Sequence, residues 1–371
     1  MKRLFTLLLI SFAALSCEMI DVKLNELLGE NNENNENNEN NENNENNENN
    51  ENNENNGVVS DIPNNQIWYT STDGEIVEPY SGEDNDFANA LTTFGANIIS
   101  NTYENGQGII TFDGDVTKIG CCAFIGYDYY TDEETSSMQL LSIIIPNSVT
   151  AIEEMAFSEC YNLTDVTIGG GVTTIGEDAF SICESLVSVT IPDSVKTIER
   201  CAFADCSSLR EFKGKFASKD GRCLIIDGVL NSFAPAGLTE YTTPNGATEI
   251  GGHAFSCYGS DLVNIVISNS VTTIRHKAFW ACCEKLTSIT IPNSVTTIES
   301  CAFEEIESLT NVYCKATTPP TGIFDEEADI WNAFGWNAPD RKIYVPMESV
   351  EAYKNANGWS VYAEDIVGYD F

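Results

Sequence analysis

The dipeptide Ala-Phe recurs along this chain at a fixed interval, and that periodicity restricts the fold more than any other feature. It occurs at Ala123-Phe124, Ala156-Phe157, Ala179-Phe180, Ala202-Phe203, Ala254-Phe255, Ala278-Phe279 and Ala302-Phe303, with Phe-to-Phe spacings of 33, 23, 23, 52, 24 and 24. The base period is therefore 23 to 24 residues. The longer spacings carry a ten-residue insertion near Tyr127 to Ser136 and a diverged copy, Leu238 to Pro244 running into Ile250. A unit of this length cannot bury its own apolar side chains, so it becomes stable only by stacking on its neighbours.

Within a unit, Leu-x-x-Val-x-Ile ends in the period-two alternation of a half-buried strand, as at Leu186, Val189 and Ile191. Pro192 and Pro292 follow that strand and end it, because proline has no N–H to donate. Val-Thr-Thr-Ile, as at Val172 to Ile175, reads as a second short strand of β-branched residues. Ala-Phe-x-x-Cys reads as a tight turn or single helical turn that plugs the interior. The expected fold is a β-rich repeat solenoid with short parallel strands and single-turn helical plugs. At ~4.8 Å per strand, about eight coils would extend roughly 35 Å.

The aligned units resemble the BspA-like leucine-rich-repeat surface proteins, common as lipoproteins of Bacteroides-type bacteria. The resemblance covers about Ile109 to Cys314 and extends to both flanks. Ile67-Trp68-Tyr69-Thr70 and Gly108 to Phe112 look like the family's leading segment. Tyr344-Val345-Pro346, Val350 to Lys354 and Gly358-Trp359 look like its closing segment. The resemblance implies adhesion to host matrix proteins and co-aggregation with other bacteria.

The segments before the repeats suggest export. Lys2-Arg3, an apolar run from Leu4 to Leu15 and Ser16-Cys17 form a secretory signal too short to span a bilayer. Ala14-Leu15-Ser16-Cys17 resembles a lipobox, with Ala where Leu is commoner, so Cys17 would carry the lipid. The other reading is an ordinary signal cut near Ala14. Glu30 to Asn56 is nine copies of Glu-Asn-Asn, which has nothing to bury and repels itself, so it reads as an extended tether. The expected organisation is a signal at 1–16, anchor and tether at 17–57, a β-containing N-terminal cap at 58–107, repeats at 108–315 and a small C-terminal cap at 316–371. The expected location is the outer membrane, facing outward, with the lipid as sole membrane contact. The net charge of −39 becomes −39 − 2 = −41 once Lys2 and Arg3 are removed. Such a balance argues against nucleic acid and anionic lipid as partners.

Little in the chain suggests chemistry. Of thirteen cysteines, Cys160, Cys183, Cys206 and Cys282 share one repeat position, and Cys122, Cys201 and Cys301 share another. They read mainly as buried free thiols. Equivalent side chains point in parallel, which suits a disulfide poorly. No cysteine pair has zinc-ribbon or finger spacing, so neither a metal nor another cofactor is expected. His253 and His276 lie just before Ala-Phe dipeptides, in what reads as a solvated turn. No nucleophile-elbow, phosphate-loop or His-Glu-x-x-His motif occurs, and no enzyme is expected.

Binding residues are expected on the outward strand positions. One stripe is Leu141, Thr164, Val187, Arg210, Thr239, Val263, Thr287 and Thr310. The other is Ile144, Thr167, Thr190, Lys213, Thr242, Val266, Thr290 and Tyr313. Thr and Val suit any exposed strand, yet solenoids also use such a face for binding. The Tyr-rich insertion, with Tyr127, Tyr129 and Tyr130, is the second candidate, against the reading of a disordered acidic loop. The partners expected are host matrix or bacterial surface proteins, met by a monomer. A glycan-binding lipoprotein is the alternative, favoured by any cluster of exposed aromatic rings. Asp193-Ser194-Val195 resembles an O-glycosylation signal, but its repeat equivalents read Asn-Ser-Val.

Overall fold

A computed structural model describes residues 61–80, 93–128, 132–322 and 332–371. The chain forms a parallel β-solenoid of about ten turns with little helix. Each coil contributes one strand to each of two faces. On the first face, Leu140–Ile144 pairs with Asp165–Thr167, and Ser188–Ile191 with Glu211–Gly214, all in parallel. Six further strands form one sheet in chain order: Glu240–Thr242, Asn264–Val266, Ser288–Ile291, Asn311–Cys314, Lys342–Pro346 and Ile366–Tyr369. On the second face the two-residue strands Ala151–Ile152, Thr174–Ile175 and Thr197–Ile198 pair in register, as do Glu249–Ile250, Thr273–Ile274 and Thr297–Ile298.

The register puts like on like. Ile265, Ile289, Val312 and Ile343 are direct partners and almost wholly buried. The phenylalanines form a stacked column. Phe124, Phe157, Phe180 and Phe203 lie 5.3, 5.0 and 5.4 Å apart, their rings within 6° of parallel. A second column runs Phe255, Phe279, Phe303 and Phe334 at 4.6, 5.0 and 5.0 Å. Phe334 belongs to an eighth Ala-Phe, Ala333-Phe334, outside the seven units aligned by period.

Of the two forms open to the Ala-Phe plug, the chain takes the turn. The residue before Ala sits at φ between 52° and 57° in seven coils, for example Cys122, Asp178 and Lys277. The second residue after Phe is also left-handed, as at Glu159, Ile182 and Asp205. These reversals aim the turn's N–H groups along the solenoid. Phe157 N–H donates to the Ala179 carbonyl at 2.8 Å, and Phe180 N–H to Ala202 at 2.9 Å. The side chains follow suit. Cys160, Cys183 and Cys206 donate their S–H to the carbonyls of Phe124, Phe157 and Phe180 in the preceding coil, at 2.9 to 3.2 Å.

Between Phe203 and Phe255 the strands Glu240–Thr242 and Glu249–Ile250 supply the diverged copy. They are joined by something the period does not reveal. Cys223–Ile226 and Val229–Phe233 form an antiparallel hairpin closed by Asp227-Gly228, both left-handed. That dipeptide is a strong hairpin signal in its own right. The buried side chains fall into two core blocks that meet at the hairpin, whose strand Val229–Phe233 pairs with Glu249–Ile250 of the second face. On the first face Asp165–Thr167 and Ser188–Ile191 lie in different sheets, as do Glu211–Gly214 and Glu240–Thr242.

Both ends of the coil stack are closed. Gln66–Ser71 pairs antiparallel with Gln107–Phe112 and with Leu140–Ile144, covering the first coil's strand edge. At the other end Trp359 is fully buried and its indole N–H donates to the Pro320 carbonyl at 2.7 Å. The helix Val350–Asn355 brings Tyr353 inward, where its hydroxyl donates to the Ala316 carbonyl at 2.8 Å.

Candidate functional site

The outward side chains of the first face line up as the strand register dictates. Backbone N–H groups of Thr164 and Arg210 donate to the carbonyls of Leu141 and Val187, both at 2.9 Å, so these residues stack coil on coil. Beyond the hairpin, Val263, Thr287 and Thr310 continue the same row through bonds of 2.7 to 3.2 Å. In the second row Ile144 partners Thr167, Thr190 partners Lys213, and Thr242, Val266, Thr290 and Tyr313 are successive partners. Several threonines have a structural task. The hydroxyls of Thr164 and Thr310 donate to the carbonyls of Leu141 and Thr287, at 3.0 and 3.2 Å. Val187 and Val263 are 42% and 40% exposed, with no such task to explain them.

The rows are not one continuous sheet: Asp165–Thr167 and Ser188–Ile191 lie in different sheets, and a second break falls between Glu211–Gly214 and Glu240–Thr242. At the second break lies a groove of about 430 Å³ lined by Val187, Arg210, Ala236, Gly237 and Asp261 among others. The stretch past the break is regular, and a hollow of about 280 Å³ lies on it, lined by Thr242, Asn245, Val266, Asn269, Thr290 and Lys315 among others.

Lys315 joins that hollow to an aromatic cluster. Its ammonium lies 5.7 Å from the centre of the Phe371 ring. Tyr313 stacks on Tyr344 at 4.8 Å, and Tyr369 meets both edge-on at 5.5 Å. Phe371 packs 5.1 Å from Tyr369, and these two rings are 51% and 42% exposed. Of these rings only Tyr313 stood out in the repeats. Tyr344 and Tyr369 occupy outward positions of strands that continue the sheet past the last aligned unit, so the signal lay in strand alternation, not in the period.

The second candidate is partly described. Tyr127–Asp128 pairs antiparallel with Glu133–Glu134, and the Tyr127 hydroxyl donates to Asp132. Tyr129 and Tyr130 lie outside the described residues, as do Cys17 and the Glu-Asn-Asn tract.

His253 does not sit in a solvated turn, contrary to expectation. It is half-buried, with Trp280 edge-on at 5.7 Å, and burial pulls its pKa down to about 3. Ser256 Oγ is 3.4 Å from His253 Nδ1, but an imidazole so hard to protonate is a poor general base. His276 is exposed, beside Ser300. Three cysteines far from zinc-finger spacing, Cys257, Cys282 and Cys283, converge with their sulfurs within 4.8 Å of one another.

Glu159 gives a pH-dependent expectation. It is fully buried, and burial pushes its carboxyl up to about 7 despite a hydrogen bond from the Tyr161 hydroxyl at 3.1 Å. The folded state therefore holds this proton more tightly than the unfolded chain, whose glutamates release it near ~4.3. Stability is lost as pH rises through the window between those values and stays lost above it. Glu159→Gln should raise stability at pH 8 by up to about 3 kcal/mol and change it little at pH 4. Thermal melts at the two pH values check this, and equal gains at both would contradict it.

A parallel solenoid whose repeat units each carry a buried leucine, as at Leu163, Leu186, Leu209, Leu262, Leu286 and Leu309, and that presents an outward strand face is a leucine-rich-repeat scaffold. Residues 132–217 and 230–326 match the BspA type leucine-rich repeat region in six copies, and this repeat region belongs to that family. Solved structures resemble it too. A leucine-rich cell surface protein from Faecalibacterium prausnitzii A2-165 is 24% identical, with 66% of this chain and 72% of that one covered and a TM-score of 0.44. The pneumococcal vaccine antigen PcpA is 16% identical over 73% of this chain and 86% of its own, with a TM-score of 0.38. A leucine-rich repeat protein from Bacteroides ovatus ATCC 8483 is 19% identical over 80% and 98%, with a TM-score of 0.24. Among curated proteins, none matches the chain significantly. No helix among the described residues is long and apolar enough to cross a membrane.

Proposed function

We propose that this protein is a non-enzymatic adhesion module that binds protein partners on the bacterial surface through the outward strand face beyond the hairpin. The observation that carries the reading is the run from Val266 across the Lys315 hollow to Tyr313, Tyr344, Tyr369 and Phe371. Rigid aromatic rings are what interface centres favour, since they bury much surface at little entropic cost. The leucine-rich-repeat family as a whole mediates protein interactions. The test is binding of the purified chain to immobilised host matrix proteins and to bacterial surface proteins, beside a glycan panel. Saturable binding to a protein supports the reading. Binding to glycans alone would replace it with the second reading, nutrient-glycan capture, which the same exposed rings favour because they offer faces to a sugar.

The proposal includes a lipid at Cys17 and a tether at 30–56 that holds the solenoid away from the outer membrane. Cys17→Ser should leave the chain soluble or unprocessed when cells are fractionated. Unchanged membrane partition of the variant would remove the anchor from the proposal. Deleting the tether should spare binding by purified protein and reduce only adhesion by cells.

A further inference from the structure

Cys257 and Cys283 stand one residue to either side of the repeat position that Cys160, Cys183, Cys206 and Cys282 share. The regular position is three residues after Phe, where Cys160, Cys183 and Cys206 each donate to a carbonyl of the coil before. Cys257 stands two after Phe255 and Cys283 four after Phe279, so neither is in register with the other. Parallel side chains keep in-register thiols apart, whereas this offset turns two of them together. Their sulfurs lie 2.8 Å apart, and Cys282 Sγ is 3.3 Å from Cys283 Sγ. All three thiols are buried, and the Ser260 hydroxyl donates to Cys283 Sγ at 3.0 Å.

We propose that Cys257 and Cys283 form a disulfide that staples two neighbouring coils, with Cys282 left as a free thiol beside it. A soft metal ion is the competing occupant, and two observations disfavour it. Zinc–thiolate bonds of ~2.3 Å hold their sulfurs roughly 3.8 Å apart, and the 2.8 Å between Cys257 and Cys283 lies nearer the ~2.05 Å of a disulfide. Three thiolates around a divalent ion would also leave a net negative charge in a buried site. The groups acting on Cys283 are its apolar surroundings, Cys257, Cys282 and Ser260, with no cation among them. A disulfide is neutral and carries no such cost.

The staple sits where the solenoid needs one. Asp205, in the coil before the hairpin, donates its N–H to the Ser256 carbonyl at 3.0 Å and accepts from the Tyr258 N–H at 2.9 Å. Those residues flank Cys257, so the turn column steps from the Phe203 coil to the Phe255 coil at this point. A covalent link from Cys257 to the next coil fixes the start of the second core block, which carries the proposed binding face.

The chemistry is thiol–disulfide exchange during folding, with a low-molecular-weight disulfide as oxidant. The Cys283 thiolate attacks the donor disulfide and expels one donor thiolate. The Cys257 thiolate then attacks Cys283 Sγ and expels the second. The two chain sulfurs lose two electrons and two protons, and the donor takes up both as two thiols.

The test refolds the full chain in glutathione disulfide with glutathione, traps remaining thiols with iodoacetamide and maps the unreduced digest by mass spectrometry. The expected product is one peptide pair joined through Cys257 and Cys283 and lighter by two hydrogens, with Cys282, Cys183 and Cys206 alkylated. Reductant should lower the melting midpoint of the wild type by about 5–10 °C. Cys282→Ser should keep that sensitivity, and Cys283→Ser should lose it. Alkylation of both Cys257 and Cys283 would overturn the proposal, as would a cross-link through Cys282. One equivalent of zinc or copper held by the purified protein and released when its thiols are modified would also overturn it, in favour of a metal site. Because the peptide map uses wild-type protein, it decides the matter even if a variant fails to fold.

Discussion

Phe180→Ala is expected to destabilise the protein by about 3–5 kcal/mol, a large share of the stability of any domain. Phe180 is fully buried in the middle of a column, with Phe157 at 5.0 Å and Phe203 at 5.4 Å, the three rings nearly parallel. Removing it deletes contacts to both neighbours, and the ladder of turn hydrogen bonds limits how far the coils can close on the gap. Because each coil is stable only through its neighbours, the damage should spread. The hairpin sets how far. Phe180 belongs to the first core block, and the side chains from Phe255 onward form a second. Hydrogen exchange should therefore accelerate from Phe124 to Phe212 and much less beyond Phe255. Denaturation followed by circular dichroism gives the size of the effect. An unchanged midpoint, or loss of protection spread evenly over both blocks, would show that the column does not hold the coils as described.

The sequence made the coil legible and left its interruptions hidden, for a physical reason. Ala-Phe, Leu-x-x-Val-x-Ile and Val-Thr-Thr-Ile each occupy one place in every coil, so repetition multiplied weak local signals until the inward register was unambiguous. The hairpin at 223–233 occurs once. Its Asp227-Gly228 turn could be read locally, but a period search discards whatever does not repeat. Phe334 was missed for a similar reason. Its Ala-Phe is intact, but it stands 31 residues past Phe303 with an insertion between them. The thiol cluster went unseen because Cys257 and Cys283 look like slightly misplaced members of a cysteine ladder, and only the coil register shows that the misplacement turns them together. The aromatic cluster depends on Tyr369 returning beside Tyr344 after a helix and a turn, a contact no local pattern encodes. Burial explains His253 too. The stretch just before Ala-Phe, which carries Glu or Arg in other units, reads as solvated, yet at His253 the Trp280 ring of the next coil packs edge-on against it.

Substitution on the strand face should abolish binding without touching the fold, and it should do so on one side of the hairpin only. Val266 points outward between Thr242 and Thr290 and lines the Lys315 hollow, while the exposed Tyr369 ring closes the aromatic cluster beyond it. In a complex both would lose their water. A carboxylate at position 266 would then be buried against a partner surface not built to receive it, and a missing ring at 369 would leave a gap at the interface centre. Val266→Glu with Tyr369→Ala should weaken affinity for the protein partner at least about 100-fold, or about 2.7 kcal/mol. In the free protein the introduced carboxylate can meet water and Lys315, so the circular dichroism spectrum and melting midpoint should stay close to wild type. Val187→Glu serves as the contrast. Val187 is as exposed as Val263 but stands across the break, beside the Arg210 groove. It should bind within about twofold of wild type, because Ser188–Ile191 lies in a different sheet from Asn264–Val266 and a partner seated on the aromatic end need not reach that far. Surface plasmon resonance on the three proteins separates the outcomes. Loss at Val187→Glu with none in the double variant would move the site to the groove, and loss in neither would leave the Tyr127 insertion as the binding element.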